Sequence, residues 1–277
     1  MAAPELVALL RGRRIAVLTG AGVSTDSGIP DYRGPDSPPA TPMTIKQFTA
    51  SREYRQRYWA RNHLGWRHMA QRQPNAGHRA LAQLERDGVV TAVITQNVDL
   101  LHTKAGSRAV INLHGTYAQV VCLDCGYRMS RAALAEQLEA ANPGFAERAA
   151  GVGGLAVAPD ADAVVGDTES FHFLDCPSCA GMLKPDIVYF GESVAKEIVE
   201  QAYALVDASE ALLVAGSSLT VFSGYRFVRH AAANGIPVAI VNQGPTRGDE
   251  LATVKLDAGC SPILALLADE LAASLRP

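Results

Sequence analysis

The sequence lacks a membrane-length apolar run, and it lacks any cluster of basic residues. Although 48% of its 277 residues are hydrophobic, no stretch approaches the roughly twenty consecutive apolar residues that cross a bilayer. No membrane role is expected. Lysine and arginine number 25 against 28 acidic residues, for a formal net charge of −3, and the basic residues are scattered. That distribution gives no electrostatic footprint for nucleic acid, so none is expected as a partner. The opening segment "MAAPELVALLRGRR" is too short and too weakly apolar for a secretory leader, and too short for an organelle transit peptide. The expected compartment is a reducing one, the cytoplasm, most simply that of a prokaryote.

A disulfide framework is also missing. Four of the five cysteines form two C-x-x-C pairs, Cys122/Cys125 in "CLDCG" and Cys176/Cys179 in "CPSCAG". Two such knuckles on one chain have the spacing of a tetrahedral thiolate site for zinc, the alternative being two independent redox motifs. Four thiolates leave no open coordination position, so the metal is expected to be structural, pinning an insertion of about fifty residues between the pairs.

Short aliphatic runs without alternation read as strands covered on both faces: 14–20, 89–97, 110–115, 186–192, 211–219 and 236–244. Helix-like stretches at 77–86 and 195–209 separate several of them. The pattern predicts an α/β fold, a Rossmann-like doubly wound parallel sheet over 1–34, 75–115 and 186–277. Residues 35–74, with arginines and aromatics at helical spacing, read as a helical flap whose aromatics form a local core. Residues 116–185 read as a smaller inserted zinc-binding domain, with a long loop over 151–170 that would stand near the site. Most strands end in glycine or small polar residues, at the edge where open α/β sheets bind ligands.

The first strand runs into "GAGVSTDSGIPDYRG", where Gly20 and Gly22 allow a close backbone approach to a pyrophosphate and Ser24 or Thr25 can start a helix behind it. The dehydrogenase fingerprint is incomplete, with Thr25 at its third glycine. "TQNVDLLHTKAG" then crowds Gln96, Asn97, Asp99 and His102 after a strand where a simple turn would do.

These motifs, followed by "LHG", the paired C-x-x-C, "LKPDIVYFGE", "GSSL" and "NQGPTR", occur in the order seen in the sirtuin family of NAD-dependent protein-lysine deacylases. The resemblance covers Arg13 to Cys260. Within the family, "YWARN", "PNAGH", "SGYRF" and "GPTRGDELA" most resemble the class II branch that includes the mitochondrial lipoamidase and ADP-ribosylating sirtuin. The resemblance implies NAD as a consumed cosubstrate and acyl-lysine proteins as partners. It implies transfer of the acyl group to ADP-ribose with release of nicotinamide, or alternatively mono-ADP-ribosylation of a protein from the same pocket.

It also implies residue roles. Gln96, Asn97 and Asp99 surround nicotinamide and its ribose, a setting suited to stabilising positive charge, with Asn97 and Asp99 counted as catalytic. Gly20, Ala21, Gly22, Asp31, Tyr32 and Arg33 belong to the same NAD site. Gly216, Ser217, Ser218, Asn242 and Gly244 hold the adenosine half, and Cys260 supplies a late backbone contact. His114 is the expected general base, because an imidazole exchanges protons near neutrality. His102 is as readily a satisfied histidine beneath the site. Val188 and Phe190 are the expected peptide groove, Val188 by strand-like pairing and Phe190 against the lysine stem.

Class II enzymes that prefer succinyl or malonyl groups carry a Tyr and an Arg three residues apart, where this chain has Asn62 and Gly65. Without that guanidinium, a buried acyl carboxylate would lack its partner. A neutral, longer or branched acyl group is therefore expected, unless Arg61 or Arg67 takes over.

Overall fold

A computed structural model describes residues 2–34, 42–150, 163 and 168–272. Among them the strands are β1 (Ile15–Thr19), β2 (Val90–Thr95), β3 (Val110–Asn112), β4 (Gly115–Cys122), β5 (Arg128–Ser130), β6 (Leu183–Ile187), β7 (Ala211–Ala215), β8 (Val238–Val241) and β9 (Val254–Leu256). The helices are α1 (Ala2–Leu10), α2 (Ile45–Ala50), α3 (Arg52–Gln71), α4 (Ala76–Arg86), α5 (Leu101–Ala105), α6 (Arg131–Ala141), α7 (Phe145–Ala150), α8 (Lys196–Asp207), α9 (Phe222–Ala233) and α10 (Cys260–Ala272).

Six strands form one parallel sheet in the order β3-β2-β1-β7-β8-β9. Every residue of β1, β7 and β8 is buried, which is why these runs carry no polar alternation. Successive side chains still go to opposite faces. Ile15 and Val17 pack with Leu6 and Leu10 of α1, Leu81 and Leu84 of α4, and Leu264 and Leu267 of α10. Ala16 and Leu18 pack with Val199 and Val206 of α8 and Phe227 and Ala231 of α9. The sheet is thus covered on both sides, as a doubly wound fold requires. Strand order reverses between β1 and β7, the switch point at which such sheets open a crevice for ligands.

A second sheet, β5-β4-β6, is antiparallel and carries the cysteine pairs. The run at 186–192 was expected as a parallel strand. Asp186 and Ile187 instead end β6, with Ile187 opposite Gly115, and the chain then turns through 188–192. An apolar run does not reveal which sheet it joins.

The flap's helices start at local caps: Thr44 and Gln47 form a reciprocal capping box for α2, and the Ser51 hydroxyl accepts from the Tyr54 N–H at the start of α3. Its aromatics do not form a core of their own. Phe48, Tyr58 and Trp59 share one cluster with Tyr117, Val120, Leu134, Phe171, Leu183 and Tyr189 of the cysteine-bearing segment and the turn after it. Polar bonds add to this junction, Gln56 Nε2 donating to the Phe171 carbonyl at 2.9 Å and Arg52 pairing with Asp175 at 3.0 Å. The turn-rich residues 35–41, and the 151–170 loop apart from Ala163 and 168–170, lie outside the described residues.

Candidate active site

A cavity of about 990 Å³ opens at the carboxyl ends of β1, β2 and β7 and extends to the second sheet and the flap. Its sheet end rests on two interlocked glycine turns. Gly216 has φ +64, and a Cβ there would lie 2.2 Å from the Val23 backbone nitrogen. A Cβ on Gly20 would meet the Gly216 carbonyl at 2.7 Å. Only glycines let these backbones approach so closely. The expected helix at Ser24 or Thr25 is absent, replaced by 3₁₀ turns at Ala21–Val23 and Thr25–Ser27. The reason lies in tertiary bonding: the Ser24 side chain turns inward to donate to Asp99 Oδ2 at 2.7 Å instead of capping a helix.

The polar cluster after β2 forms the adjoining wall. Asn97 Nδ2 donates to the Gly20 carbonyl at 3.0 Å and to Ser24 Oγ at 3.2 Å. Gln96 Oε1 accepts from Ser217 Oγ at 2.7 Å. Asp99 also accepts from the Leu101 N–H, yet burial raises its pKa above the usual carboxylate value, against those bonds. His102 is outside the cavity wall. It is buried beneath it, with Nε2 2.9 Å from Thr19 Oγ1 and its ring beside that of His78.

His114 is half-buried in the cavity wall. Its Nδ1 lies 2.9 Å from the Gln96 carbonyl oxygen, and a carbonyl only accepts, so Nδ1 carries the proton. Nε2 keeps its lone pair and accepts from Ser223 Oγ at 2.8 Å. Burial lowers the imidazole pKa, partly offset by the Gln96 carbonyl. The result is a neutral ring with a basic nitrogen in the cavity wall. Gly115 makes this possible: its φ is +76, and a Cβ there would lie 2.1 Å from the Asp186 carbonyl, where β4 and β6 cross. The same crossing lets the Val188 N–H donate to the His114 carbonyl at 2.8 Å. That donor is therefore spent inside the fold, and strand-like pairing of a peptide at Val188 must use other backbone groups.

The remaining residues expected to hold NAD and peptide converge on one cavity, with one exception. Ala21, Gly22, Asp31, Tyr32, Arg33, Ser218, Asn242, Gly244, Val188 and Phe190 all belong to its wall. Asp31 accepts from the Gly34 N–H at 2.6 Å, and Tyr32 meets Phe190 edge-on at 6.3 Å. Cys260 is outside the wall. Its Sγ packs 3.7 Å from the Val241 carbonyl, and burial pushes the thiol pKa up to about 12, the state of an inert thiol.

A family model described as the Sir2 family matches residues 20–223. The chain belongs to the Sir2 family, the sirtuins. A relative from Mycobacterium avium named NAD-dependent protein deacetylase 1 is 76% identical over 268 residues, covering 97% of this chain and 95% of its own. The Bos taurus protein named NAD-dependent protein lipoamidase sirtuin-4, mitochondrial, is 44% identical, covering 92% of this chain and 82% of its own. A solved structure described as "Sir2-p53 peptide-NAD+" superposes with TM-score 0.76 at 31% identity, covering 98% of each chain.

In this sirtuin the four knuckle thiols meet as the spacing predicts. Cys122, Cys125, Cys176 and Cys179 place their sulfurs within 4.8 Å of one another, with Cys122 to Cys179 at 3.6 Å and Cys125 to Cys176 at 3.7 Å. Zn–S bonds of about 2.3 Å in a tetrahedron give sulfur separations of about 3.8 Å. The four cysteines are positioned to hold a structural zinc ion, and none of them is in the wall of the large cavity.

Sequence reasoning assigned no part to the far end of the cavity, where Ile29, Tyr58, Tyr117, Ile187 and Tyr189 form an apolar and phenolic wall. In the sequence Ser24 signals only a helix start, and Ser223 carries no assigned role although it lies in the family marker "SGYRF". Asn62 and Gly65 are not in that wall. Asn62 is fully buried, and its Oδ1 accepts from Arg131 Nη2 at 3.1 Å. Arg131, also fully buried, lies over the Trp66 ring at 4.6 Å, and desolvation lowers its pKa to about 10, leaving it charged at neutral pH. Arg61 Nε donates to the Ala163 carbonyl, and Arg67 pairs with Glu139. None of these arginines belongs to the cavity wall.

Proposed function

We propose that this sirtuin is an NAD-dependent protein-lysine deacylase. The observation that carries the reading is a basic His114 Nε2 in the wall of the same cavity as the interlocked glycine turns and the Gln96–Asn97–Asp99 wall. NAD fits the sheet end on physical grounds, since Gly20, Gly22 and Gly216 let the two turns close on each other and present backbone to the cavity, and the switch point supplies the crevice. When bound, it supplies a glycosidic bond whose cleavage exposes the ribose to the acyl oxygen.

The chain's own residues then have definite tasks. Gln96 and Asn97, tied to Ser217 and to the Gly20 carbonyl, orient the nicotinamide end, and Asp99 stands beside it as a countercharge to developing positive charge. His114 Nε2 accepts the proton of a ribose hydroxyl, and for this Ser223 must give up its hydrogen bond. Ser217, Ser218, Asn242 and Gly244 face the adenosine half. Phe190, 41% exposed, packs against the lysine stem. Tyr58, Tyr117 and Tyr189 surround the acyl group. The absence from that wall of Arg61, Arg67 and Arg131 favours neutral, longer or branched acyl chains over succinyl.

Mass-spectrometric turnover of an acyl-lysine peptide panel, with and without NAD, tests the reading. The expected products are free lysine, nicotinamide and O-acyl-ADP-ribose, and His114→Ala lowers the rate by roughly 10²–10⁴-fold while NAD still binds. Mass added to protein with no O-acyl-ADP-ribose would replace this reading with ADP-ribosyl transfer.

A further inference from the structure

The turn 187–192 supplies six consecutive residues of the cavity wall, yet it belongs to no regular element beyond the end of β6 and an isolated bridge between Thr44 and Phe190. Something must hold it. Beneath it sits Lys184, whose side chain is 6% exposed. Its Nζ donates to the Ile187 carbonyl at 2.5 Å and to Glu192 Oε2 at 2.8 Å, and lies 4.6 Å from the centre of the Tyr189 ring. The same Glu192 oxygen accepts from the Tyr189 N–H at 2.6 Å. One ammonium and one carboxylate therefore tie the first, middle and last parts of the turn together.

A buried ammonium is costly unless it is paired and its donors are used. Here two of its three donors are spent on the turn, and the ring face of Tyr189 takes the third side of the charge. Tyr189 in turn packs against Phe48 and Tyr58 at 5.3 and 5.4 Å. The charge thus supports the aromatic wall as well as the turn's backbone. Lys184 also pairs with Val121 on β4, beside the Cys122–Leu183 pair, so the clamp is anchored next to the metal-binding knuckles.

We propose that the Lys184–Glu192 pair is a positioning device for the acyl-lysine end of the cavity: it sets the shape of the 187–192 turn without touching NAD. Glu192, although it is in the cavity wall, serves as a structural counterion and not as a proton carrier. This proposal rests on the deacylase reading.

The test compares Lys184→Met, Glu192→Gln and Lys184→Arg with the parent enzyme, in steady-state kinetics with acyl peptide and with NAD, and in calorimetric titration of acyl peptide onto protein saturated with ADP-ribose. Lys184→Met and Glu192→Gln are expected to raise KM for the peptide about tenfold, the scale of one charge-assisted hydrogen bond. At saturating peptide, kcat should stay within about threefold and KM for NAD within about twofold, on the same scale. Lys184→Arg, which keeps the cation, should recover most of the peptide affinity. If Lys184→Met does not fold, the near-isosteric Glu192→Gln decides alone. An unchanged peptide KM in folded variants overturns the proposal, as does an equal rise in both KM values, the mark of general loosening. A kcat collapse in Glu192→Gln with normal peptide binding would overturn it too, since that carboxylate would then be doing chemistry. A parent protein that removes no acyl group with NAD defeats the deacylase reading itself, and the peptide titration still reports separately on the clamp.

Discussion

The two ends of the large cavity are built from different materials. At the sheet end the wall is backbone and short polar side chains, Gly20, Gly22, Gly216, Gln96, Asn97 and Ser217, each within a few residues of a strand terminus. At the other end it is aromatic side chains, Tyr58 from the flap, Tyr117 from β4 and Tyr189 from the turn after β6, brought together by a core that flap and cysteine segment share. A site made by strand ends is fixed once the sheet forms. A site made by three distant segments depends on everything that docks them.

Stripping the zinc should break this comparison most sharply. Structural zinc supplies binding energy on the order of ten kcal/mol that is also folding energy. Chelation, or Cys176→Ser, should therefore abolish acyl-peptide turnover and lower the melting temperature, followed by near-UV circular dichroism. NAD binding at the intact sheet end should persist longer than peptide binding as zinc is withdrawn. Simultaneous loss of both would show that the two ends are one cooperative unit.

The converse change attacks the sheet end. Gly216→Val puts a Cβ 2.2 Å from the Val23 nitrogen at φ +64, a backbone and steric cost of about 3 kcal/mol or more. It should raise KM for NAD by at least tenfold, while a folded variant still binds acyl peptide in titration. Acyl choice comes next in size. With Asn62 and Gly65 outside the cavity wall and Arg131 held behind it by Asn62 and Trp66, the flap and the cysteine segment offer no cation to an acyl carboxylate at the tyrosine-lined end, at a penalty of a few kcal/mol. Succinyl-lysine should be turned over roughly 10²-fold more slowly than a neutral acyl-lysine of similar length, in competitive mass-spectrometric assays. Comparable rates would show that a cation, one of these arginines or Arg33 or Arg226 of the wall, reaches the carboxylate.

The smallest effect is in pH. As the proposed base, His114 must be neutral to accept a proton, and burial depresses its pKa below 6.5, so the neutral form persists to lower pH than for a free imidazole. The proposed role of Asp99 needs its anion, and burial raises its pKa above 3.8. Charging of His114 should thus limit activity only below pH 6.5, whereas Asp99 loses its charge at a higher pH than an ordinary carboxylate. The midpoint of the His114 ring protons in an NMR titration checks this, and a midpoint above 6.5 would contradict the burial argument.

The same contrast explains which parts were legible in the sequence. The zinc ligands were readable because each pair lies on one tight turn, so local spacing already constrains the sulfurs. The glycine turn and the Gln96–Asp99 wall were readable because they follow strands that announce themselves. The fate of 186–192 was not, since the same apolar run suits a parallel or an antiparallel sheet, and it is the crossing at Gly115 that decides. Nor was the absent helix at Ser24, whose hydroxyl bonds to Asp99, 75 residues away. For His102 the sequence left a place in the wall and a place beneath it open, and the bond to Thr19 decides for the second.

By itself, then, the sequence determined which residues stand at the strand ends, the four clustered cysteines and the family, because these depend on residue type and short spacing along one segment. Tertiary structure alone decided which sheet the 186–192 run joins and which nitrogen of His114 is basic. It decided also which arginines stay out of the cavity, and that a buried lysine and glutamate clamp its far wall. Those outcomes hinge on hydrogen-bond partners and packing between segments far apart in the chain, and burial fixes them only once the flap, the cysteine segment and the sheet have closed on one another.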